Sequence, residues 1–204
     1  MHGATIDVIR INGGRLCLDF INTAGYEAGQ PLLEFIGRFE DLVTWGLREA
    51  LIDEATATNL RTQASADPDA AALARGRALD LRGALRAIFE PDRPAAERNR
   101  GLAELNHALA RDAADLSLQV STGGARYAHP PGLRLWLTGP VAISAAALAT
   151  SADVSRVRMC PGEGCHWLFL DLNRNGTRRW CSMASCGNRA KVRAHHARLN
   201  RFGG

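Results

Sequence analysis

Residues 160–186 read CPGEGCHWLFLDLNRNGTRRWCSMASC, and the four cysteines at the ends of this stretch decide how the last quarter of the chain folds. Cys160 and Cys165 form one pair with four residues between them, and Cys181 and Cys186 form a second. Two thiolate pairs brought together by a hairpin make a tetrahedral site with four sulfur ligands, which suits a structural Zn²⁺ ion. Because sulfur fills every position, none is left for a catalytic water, and we expect one structural zinc.

The cysteine spacing leaves three alternatives to zinc open. They are a pair of disulfides, thiols that are simply buried, and an iron–sulfur cluster. Disulfides fit poorly, because the chain shows no secretory signal peptide and its cysteine count, five, is odd. Zinc is favoured over the others, since the pairs are symmetric and flanked by glycine, proline and basic residues.

Charge is distributed unevenly along the chain. Residues 156–204 contain ten Lys and Arg but only two acidic residues, whereas the net charge of the whole chain is +4. The tail therefore carries +8 and the first 155 residues carry −4. A basic tail on a slightly acidic body indicates a polyanionic partner, and we expect DNA, with RNA as an alternative.

Helical periodicity dominates the part of the chain before the cysteines. The motif at 14–23 predicts a short buried helix, although apolar alternation would also permit a strand, and Cys17 is expected to pack as a small apolar residue. Proline, glycine and aspartate mark the ends of further helices. These are predicted over 31–51, 53–64, 70–89, 95–112 and 141–151.

The apolar period changes from helical to alternating between residues 116 and 137. Alternation at 116–120 and at 133–137 predicts a β-hairpin or meander, with 126–128 extending one arm. The predicted class is α+β, dominated by helices. We divide the chain into a mainly helical body, 1–153, and a small zinc finger, 154–204.

The tail predicts a finger organised by its metal. An apolar strand at 167–170 precedes a turn, and a returning strand at 178–181 would complete a hairpin. Residues 187–201 predict a basic helix with a narrow apolar stripe, so the order is typical of a treble-clef-like or ribbon-like finger. About 45 residues bury too little apolar surface to fold unaided, and we expect zinc to supply much of the stability.

Basic residues of the finger are candidates for nucleic-acid contact. A hairpin tip and a helix fixed by one metal could bind phosphates and read base edges, although a solvated basic surface is the alternative. Trp167, Phe169 and Trp180 could stack on bases, but a miniature core is the simpler interpretation. One finger buries little surface area on DNA, so specific binding would need a homodimer or a second contact. The candidates are Arg174, Arg178, Arg179, Arg189, Lys191, Arg193 and Arg198.

A polar cluster lies near the end of the first predicted helix, formed by Asp19, Asn22 and Thr23. These side chains could cap the helix or line a pocket for a small-molecule effector, and capping is the simpler interpretation. The chain contains no P-loop, G-x-S-x-G or H-E-x-x-H motif, so we predict no enzyme and no catalytic residue. No apolar run is long enough for a membrane span, and we expect a soluble cytoplasmic protein.

Two motifs resemble known bacterial families. Cys160-Pro-x3-Cys165-x-Trp-x-Phe-x-Asp171, followed by Arg179-Trp-Cys-Ser-Met-x-x-Cys-Gly-Asn-Arg-x-Lys191, resembles the CGNR zinc finger. Residues 16–23, LCLDFINT, are similar to the opening motif of the ABATE domain. The resemblance implies a stress-induced transcription regulator whose four cysteines bind metal and whose basic finger contacts nucleic acid. The family motif usually has serine where this chain has Asn173, which leaves the role of that position open.

The leading hypothesis is a transcription regulator, in which the body senses a ligand or dimerises and the finger binds DNA. The alternatives are an RNA-binding protein and a protein-interaction adaptor whose zinc is a structural clip.

Overall fold

The computed structural model describes residues 5–7, 9, 12–27, 30–114, 116–121, 124–128 and 138–202. Its helices are α1 (Leu16–Ile21), α2 (Phe39–Arg48), α3 (Glu54–Ala66), α4 (Pro68–Phe89), α5 (Ala95–Ala108), α6 (Gly139–Ala149) and α7 (Asn188–Phe202). Its strands are β1 (Ala24–Glu27), β2 (Gln30–Glu34), β3 (Ser117–Ser121), β4 (Gly124–Ala128), β5 (Val157–Met159) and β6 (Leu168–Leu170). Helices dominate and the strands form antiparallel pairs, which confirms the α+β class.

Helix α1 lies inside the hydrophobic core. Leu18, Phe20 and Ile21 have no exposed surface, and the helix packs against α6, α4 and β6. Cys17 is also completely buried, and burial raises the pKa of its thiol to about 11. The predicted short buried helix and the apolar packing of Cys17 are therefore confirmed.

Aspartate caps begin helices α3 and α4, and a glycine lets α4 and α5 pack closely. Asp53 caps α3 by accepting from Thr56 N, and Asp67 caps α4 by accepting from Ala70 N. Helix α5 crosses α4 closely at Gly101, where a Cβ atom would lie 2.7 Å from the Ala84 carbonyl oxygen. A glycine is required there, because any side chain would force the helices apart.

The helix predicted over 31–51 is wrong in its first part. Residues 30–34 form strand β2, which pairs with β1, and α2 begins only at Phe39. The strand is held from both sides, since Phe35 N donates to the Thr23 carbonyl oxygen and the Glu34 carboxylate binds the Arg82 guanidinium. These tertiary contacts outweigh the helical spacing of the apolar residues in this segment.

The predicted hairpin is confirmed in part. Strands β3 and β4 pair from Ser117↔Ala128 to Ser121↔Gly124, so 124–128 forms a full strand, whereas 133–137 lies outside the described residues. Helix α5 gives way to a π-helical segment at Leu109–Ala113. No helix in the described part of the chain is long and apolar enough to cross a membrane.

The strand pairing predicted for the finger is also wrong. Strand β6 pairs with β5, which precedes the first cysteine pair, and residues 178–181 form no strand. The reason is the buried Asp171 carboxylate, which accepts hydrogen bonds from Asn173 N at 2.9 Å and Arg178 N at 3.0 Å. These bonds close the segment after β6 into a compact loop, so that its backbone cannot return alongside β6.

Candidate metal centre

The four cysteines of the tail converge on one point. Their Sγ atoms all lie within 4.8 Å of one another, and all four side chains are buried. The Cys165 and Cys181 Sγ atoms are 3.6 Å apart, and those of Cys181 and Cys186 are 3.7 Å apart. Such separations are far longer than the roughly 2.05 Å of a disulfide bond.

The cluster fits zinc. Four sulfur atoms placed tetrahedrally at about 2.3 Å from a central ion are roughly 3.8 Å apart, close to the two separations above. All four sulfur atoms are buried and face one another, so a bound cation would stabilise them as the thiolates that a metal requires. The donor set is all sulfur, so the ion would hold the chain together and leave no position for substrate.

The first cysteine pair lies in the turn between β5 and β6. Cys160 N donates to the Trp167 carbonyl oxygen at 2.8 Å, and Cys165 N donates to the Gly162 carbonyl oxygen at 2.9 Å. A Cβ atom on Gly162 would lie 2.9 Å from Cys186 Sγ. Glycine at 162 therefore lets the turn close over the sulfur cluster.

Cys181 precedes a π-helical turn, Met183–Gly187, which contains Cys186 and leads directly into α7. A Cβ atom on Gly187 would lie 2.6 Å from Met183 Sδ, so a side chain there would displace the exposed Met183 side chain. Arg189 Nη2 donates to Cys186 Sγ at 3.0 Å, and this hydrogen bond raises the pKa of the guanidinium. Arg189 thus supports a metal ligand, as outer-shell partners do.

Arg178, a predicted nucleic-acid contact, has a structural role instead. Its guanidinium donates to the carbonyl oxygens of Leu170, Trp180, Cys181 and Asn12, at distances between 2.6 and 3.2 Å. It also lies 4.4 Å from the centre of the Phe169 ring. With its donors used in this way, Arg178 is not available to bind a phosphate.

The other basic candidates are exposed. Arg179 lies over the Trp180 ring at 5.2 Å, and Arg193 pairs with Glu163 at 3.2 Å on the surface. Helix α7 is exposed at nearly every position from Asn188 to His196. The structure leaves five of the seven candidates on the surface without a role in the metal site: Arg174, Arg179, Lys191, Arg193 and Arg198.

The aromatic residues of the finger belong to its core. Phe169 is completely buried, and Trp167 is 6% exposed. Trp167 Nε1 donates to the Ala24 carbonyl oxygen at 2.8 Å, so its polar group is also used inside the protein. Neither ring is available to stack on a base, as the miniature-core interpretation predicted.

The finger is attached to the body through the cluster around α1. Asn22 Nδ2 donates to the Leu168 carbonyl oxygen at 2.7 Å, and Leu168 N donates to Asn22 Oδ1 at 2.9 Å. Leu170 N donates to the Gly13 carbonyl oxygen at 2.7 Å, which continues this contact along β6. Sequence reasoning missed this role, although a buried asparagine in an apolar motif was a signal that a polar partner exists.

The two neighbours of Asn22 in the polar cluster bind within the body. Asp19 Oδ1 accepts from Gly13 N at 2.6 Å, ahead of α1. Thr23 Oγ1 donates to the Phe20 carbonyl oxygen at 2.7 Å and accepts from Arg82 Nη1 at 3.0 Å. Thr23 therefore satisfies a carbonyl in the last turn of α1, in the manner of a cap.

Comparison with known families agrees with these features. Residues 14–152, about two thirds of the chain, match the ABATE family, whose description reads "Putative stress-induced transcription regulator". Residues 156–199 match the CGNR zinc finger. A search of curated proteins gave no match. Neither description names an enzymatic activity, and together with the sulfur geometry they identify the four cysteines as a single zinc site.

Proposed function

We infer that this chain, which belongs to the ABATE family of transcription regulators and carries a CGNR zinc finger, binds double-stranded DNA through that finger. The observation that carries the proposal is helix α7. It is basic and exposed, and its first turn follows the zinc ligand Cys186 directly. A single α-helix fits the major groove of B-form DNA, where basic side chains meet phosphates and guanine edges.

The composition of α7 supports a polyanionic partner. The helix contains no acidic residue, whereas Arg189, Lys191, Arg193 and Arg198 all lie on it. Its described side chains pack little against the body, so burial of apolar surface does not account for this helix. Arg174 and Arg179 add charge from the loop before the second cysteine pair.

The buried finger aromatics favour duplex DNA over single-stranded RNA. Sequence-specific proteins bind unpaired bases by stacking them on exposed aromatic rings. Here Trp167 and Phe169 are in the core, and Arg179 lies over the half-buried Trp180. The available chemistry is positive charge on a helix, which suits phosphates and groove edges.

The body, 1–153, would hold the finger, 154–204, in position and bring a second copy or an effector. A single finger buries only about 600–1,000 Å² on DNA, which gives weak binding by itself. We therefore propose that a homodimer presents two α7 helices to neighbouring half-sites.

A paired charge-reversal experiment tests the DNA contact. The variant Lys191→Glu/Arg193→Glu changes α7 without touching a hydrogen bond to a cysteine, unlike a change at Arg189. The matched control is Arg98→Glu/Arg100→Glu on the exposed surface of α5. Both proteins are titrated with labelled duplex DNA at several salt concentrations, after zinc has been quantified, and single-stranded RNA serves as competitor.

We expect the α7 variant to lose affinity while zinc stays at one per chain, and the control to bind as the wild type does. The plot of log affinity against log salt should become shallower by about 1 for each phosphate contact removed. An equal loss of DNA affinity in both variants would show that the effect comes from net charge and not from α7. No binding of the zinc-loaded wild type at low salt would make the finger a structural clip.

A further inference from the structure

A cavity of about 250 Å³ lies between β1, helix α4 and the start of α5. Its lining combines apolar side chains with Tyr26, one acidic residue, Glu97, and three arginines, Arg82, Arg86 and Arg93. The volume is below the roughly 300–1,000 Å³ of pockets for drug-sized molecules, so it suits a smaller ligand. The mixture of an apolar wall and charged donors is typical of a site for a small organic ion.

Gly83 leaves open space beside the cavity. This residue lines the cavity in the middle of α4, and a Cβ atom built on it would meet no other atom within 4 Å. Glycine inside a helix costs roughly 0.5–1 kcal/mol relative to alanine. Because Gly83 has open space beside it and lines the cavity, a large side chain placed there would extend over the cavity.

The arginines provide donors that the protein does not use fully. Arg86 is buried, and its described hydrogen bonds run from Nε to Glu90, from Nη1 to the His166 carbonyl oxygen, and from Nη2 to Met159 Sδ at 3.5 Å. A guanidinium carries five N–H groups, and a thioether is a weak acceptor. Arg86 can therefore donate to an additional oxyanion without giving up its strong bonds.

The carboxylates near the cavity are already paired. Arg93 binds Glu90 at 2.8 Å and Glu97 at 2.9 Å, and Arg82 binds Glu34. An incoming anion would meet neutralised carboxylates together with the remaining N–H groups of Arg82 and Arg86. Charge-assisted hydrogen bonds of this kind are the stronger ones, particularly where water is partly excluded.

We propose that this cavity binds a small organic molecule with an acidic group, and that Arg86 connects its occupancy to the zinc finger. Arg86 lies 4.0 Å from the centre of the Tyr26 ring and donates to the His166 carbonyl oxygen at 2.7 Å. His166 follows the zinc ligand Cys165 and binds the Tyr26 carbonyl oxygen through Nδ1 at 2.9 Å. A ligand on Arg86 thus fixes two contacts that hold the first cysteine turn against the body.

The significance of this connection for DNA binding rests on the proposed function, but the site can be tested without DNA. The full-length, zinc-loaded chain is titrated with benzoate and with phenyl phosphate, followed by amide NMR. Benzyl alcohol is the neutral probe of similar size. Gly83→Leu extends a side chain over the cavity, and Gly76→Leu is the matched control, because Gly76 also lies on α4 with no atom within 4 Å of its Cβ position and does not line the cavity.

We expect saturable shifts at Gly83 and Ala87 with at least one of the two anions, and benzoate against phenyl phosphate distinguishes a carboxylate from a phosphate ligand. Binding should weaken by about tenfold or more, at least 1.4 kcal/mol, in Gly83→Leu and stay unchanged in Gly76→Leu. Shifts should extend to His166 and Trp167 in the wild type and be lost there in Arg86→Gln.

Three results would overturn the proposal: no saturable binding of either anion, equal binding of benzyl alcohol, or full binding by Gly83→Leu. Shifts that stop at the cavity in the wild type would disprove the connection to the finger. Anion binding by a protein that does not bind DNA would leave this site in place and refute the proposed function alone.

Discussion

Asn22 and Leu168 are 146 positions apart in sequence, yet the Asn22 amide makes both of its hydrogen bonds to the Leu168 backbone. Both residues are completely buried. The Asn22 side chain therefore binds the edge of β6 as a neighbouring strand would. Through this pair the zinc finger is joined to the body.

Removing the Asn22 amide should destabilise the whole chain. In Asn22→Ala the Leu168 N–H and carbonyl groups stay buried without a partner, and we expect a loss of about 2–4 kcal/mol in the free energy of unfolding. Denaturant unfolding of the zinc-loaded protein measures this loss. Asn59→Ala, on the exposed surface of α3, should change stability by less than about 0.5 kcal/mol, and equal effects would contradict the role given to Asn22.

Arg178→Lys should weaken the finger even though it keeps the charge. A lysine ammonium cannot reach four carbonyl oxygens or lie flat on Phe169 as the guanidinium does. We expect faster transfer of zinc to a chelator and a lower unfolding midpoint. Arg179→Lys, on the surface one residue away, is the control and should behave as the wild type. Normal zinc retention with lost DNA affinity in Arg178→Lys would return Arg178 to the nucleic-acid contacts.

Metal removal should unfold α7 selectively. An isolated helix of this length is marginal in water, and the described side chains of α7 have few partners in the body. Chelation, or Cys181→Ser, should therefore reduce the helical circular dichroism signal and remove hydrogen-exchange protection from 188–202, while α4 stays protected. Cys17→Ala is the control, because Cys17 lies outside the sulfur cluster and should leave zinc at one per chain. Full zinc in Cys181→Ser would remove this ligand from the site.

Asp19 gives the chain a measurable pH dependence. Burial raises the pKa of this carboxyl from its usual value near 4 to about 6. Between these values the folded state binds more protons than the unfolded state, so Asp19 lowers the stability as pH rises from about 4 to 6. Zinc binding changes over the same range, so the difference between wild type and Asp19→Asn is the quantity to follow.

From about pH 4 to 6, the free energy of unfolding of the wild type should fall relative to that of Asp19→Asn, by no more than about 2–3 kcal/mol. Asparagine keeps the oxygen that accepts from Gly13 N but cannot ionise. A carbon-detected titration of the Asp19 carboxyl measures the pKa directly, and a midpoint near 4 would contradict the prediction.

The zinc site could be predicted from sequence because its information is local. Cys160 and Cys165 share one turn, Cys181 and Cys186 share another, and side chains at fixed spacing report their own chemistry. Helices α3 and α4 were equally accessible, since Asp53 and Asp67 cap them, and α6 was accessible through its alanine-rich sequence. What failed depended on distant partners. Strand β2 is held by Arg82 of α4, which binds Glu34, and Asn22, just after α1, binds the backbone of Leu168 in β6.

The different roles of the arginines could not be predicted from sequence, because they also depend on tertiary contacts. Arg178 and Arg189 look alike in a list of basic residues, but one binds carbonyl oxygens and the other a cysteine sulfur. Only a structure distinguishes a guanidinium that is used internally from one that is available on the surface.

The burial of β6 has a practical consequence for protein engineering. Leu168 and Leu170 have no exposed surface, and the body binds the backbone of both through Asn22 and Gly13. A fragment beginning near residue 156 would lose these contacts, expose apolar surface and favour aggregation. To transfer this finger to another protein, the segment around α1 that contacts β6 would have to be transferred with it.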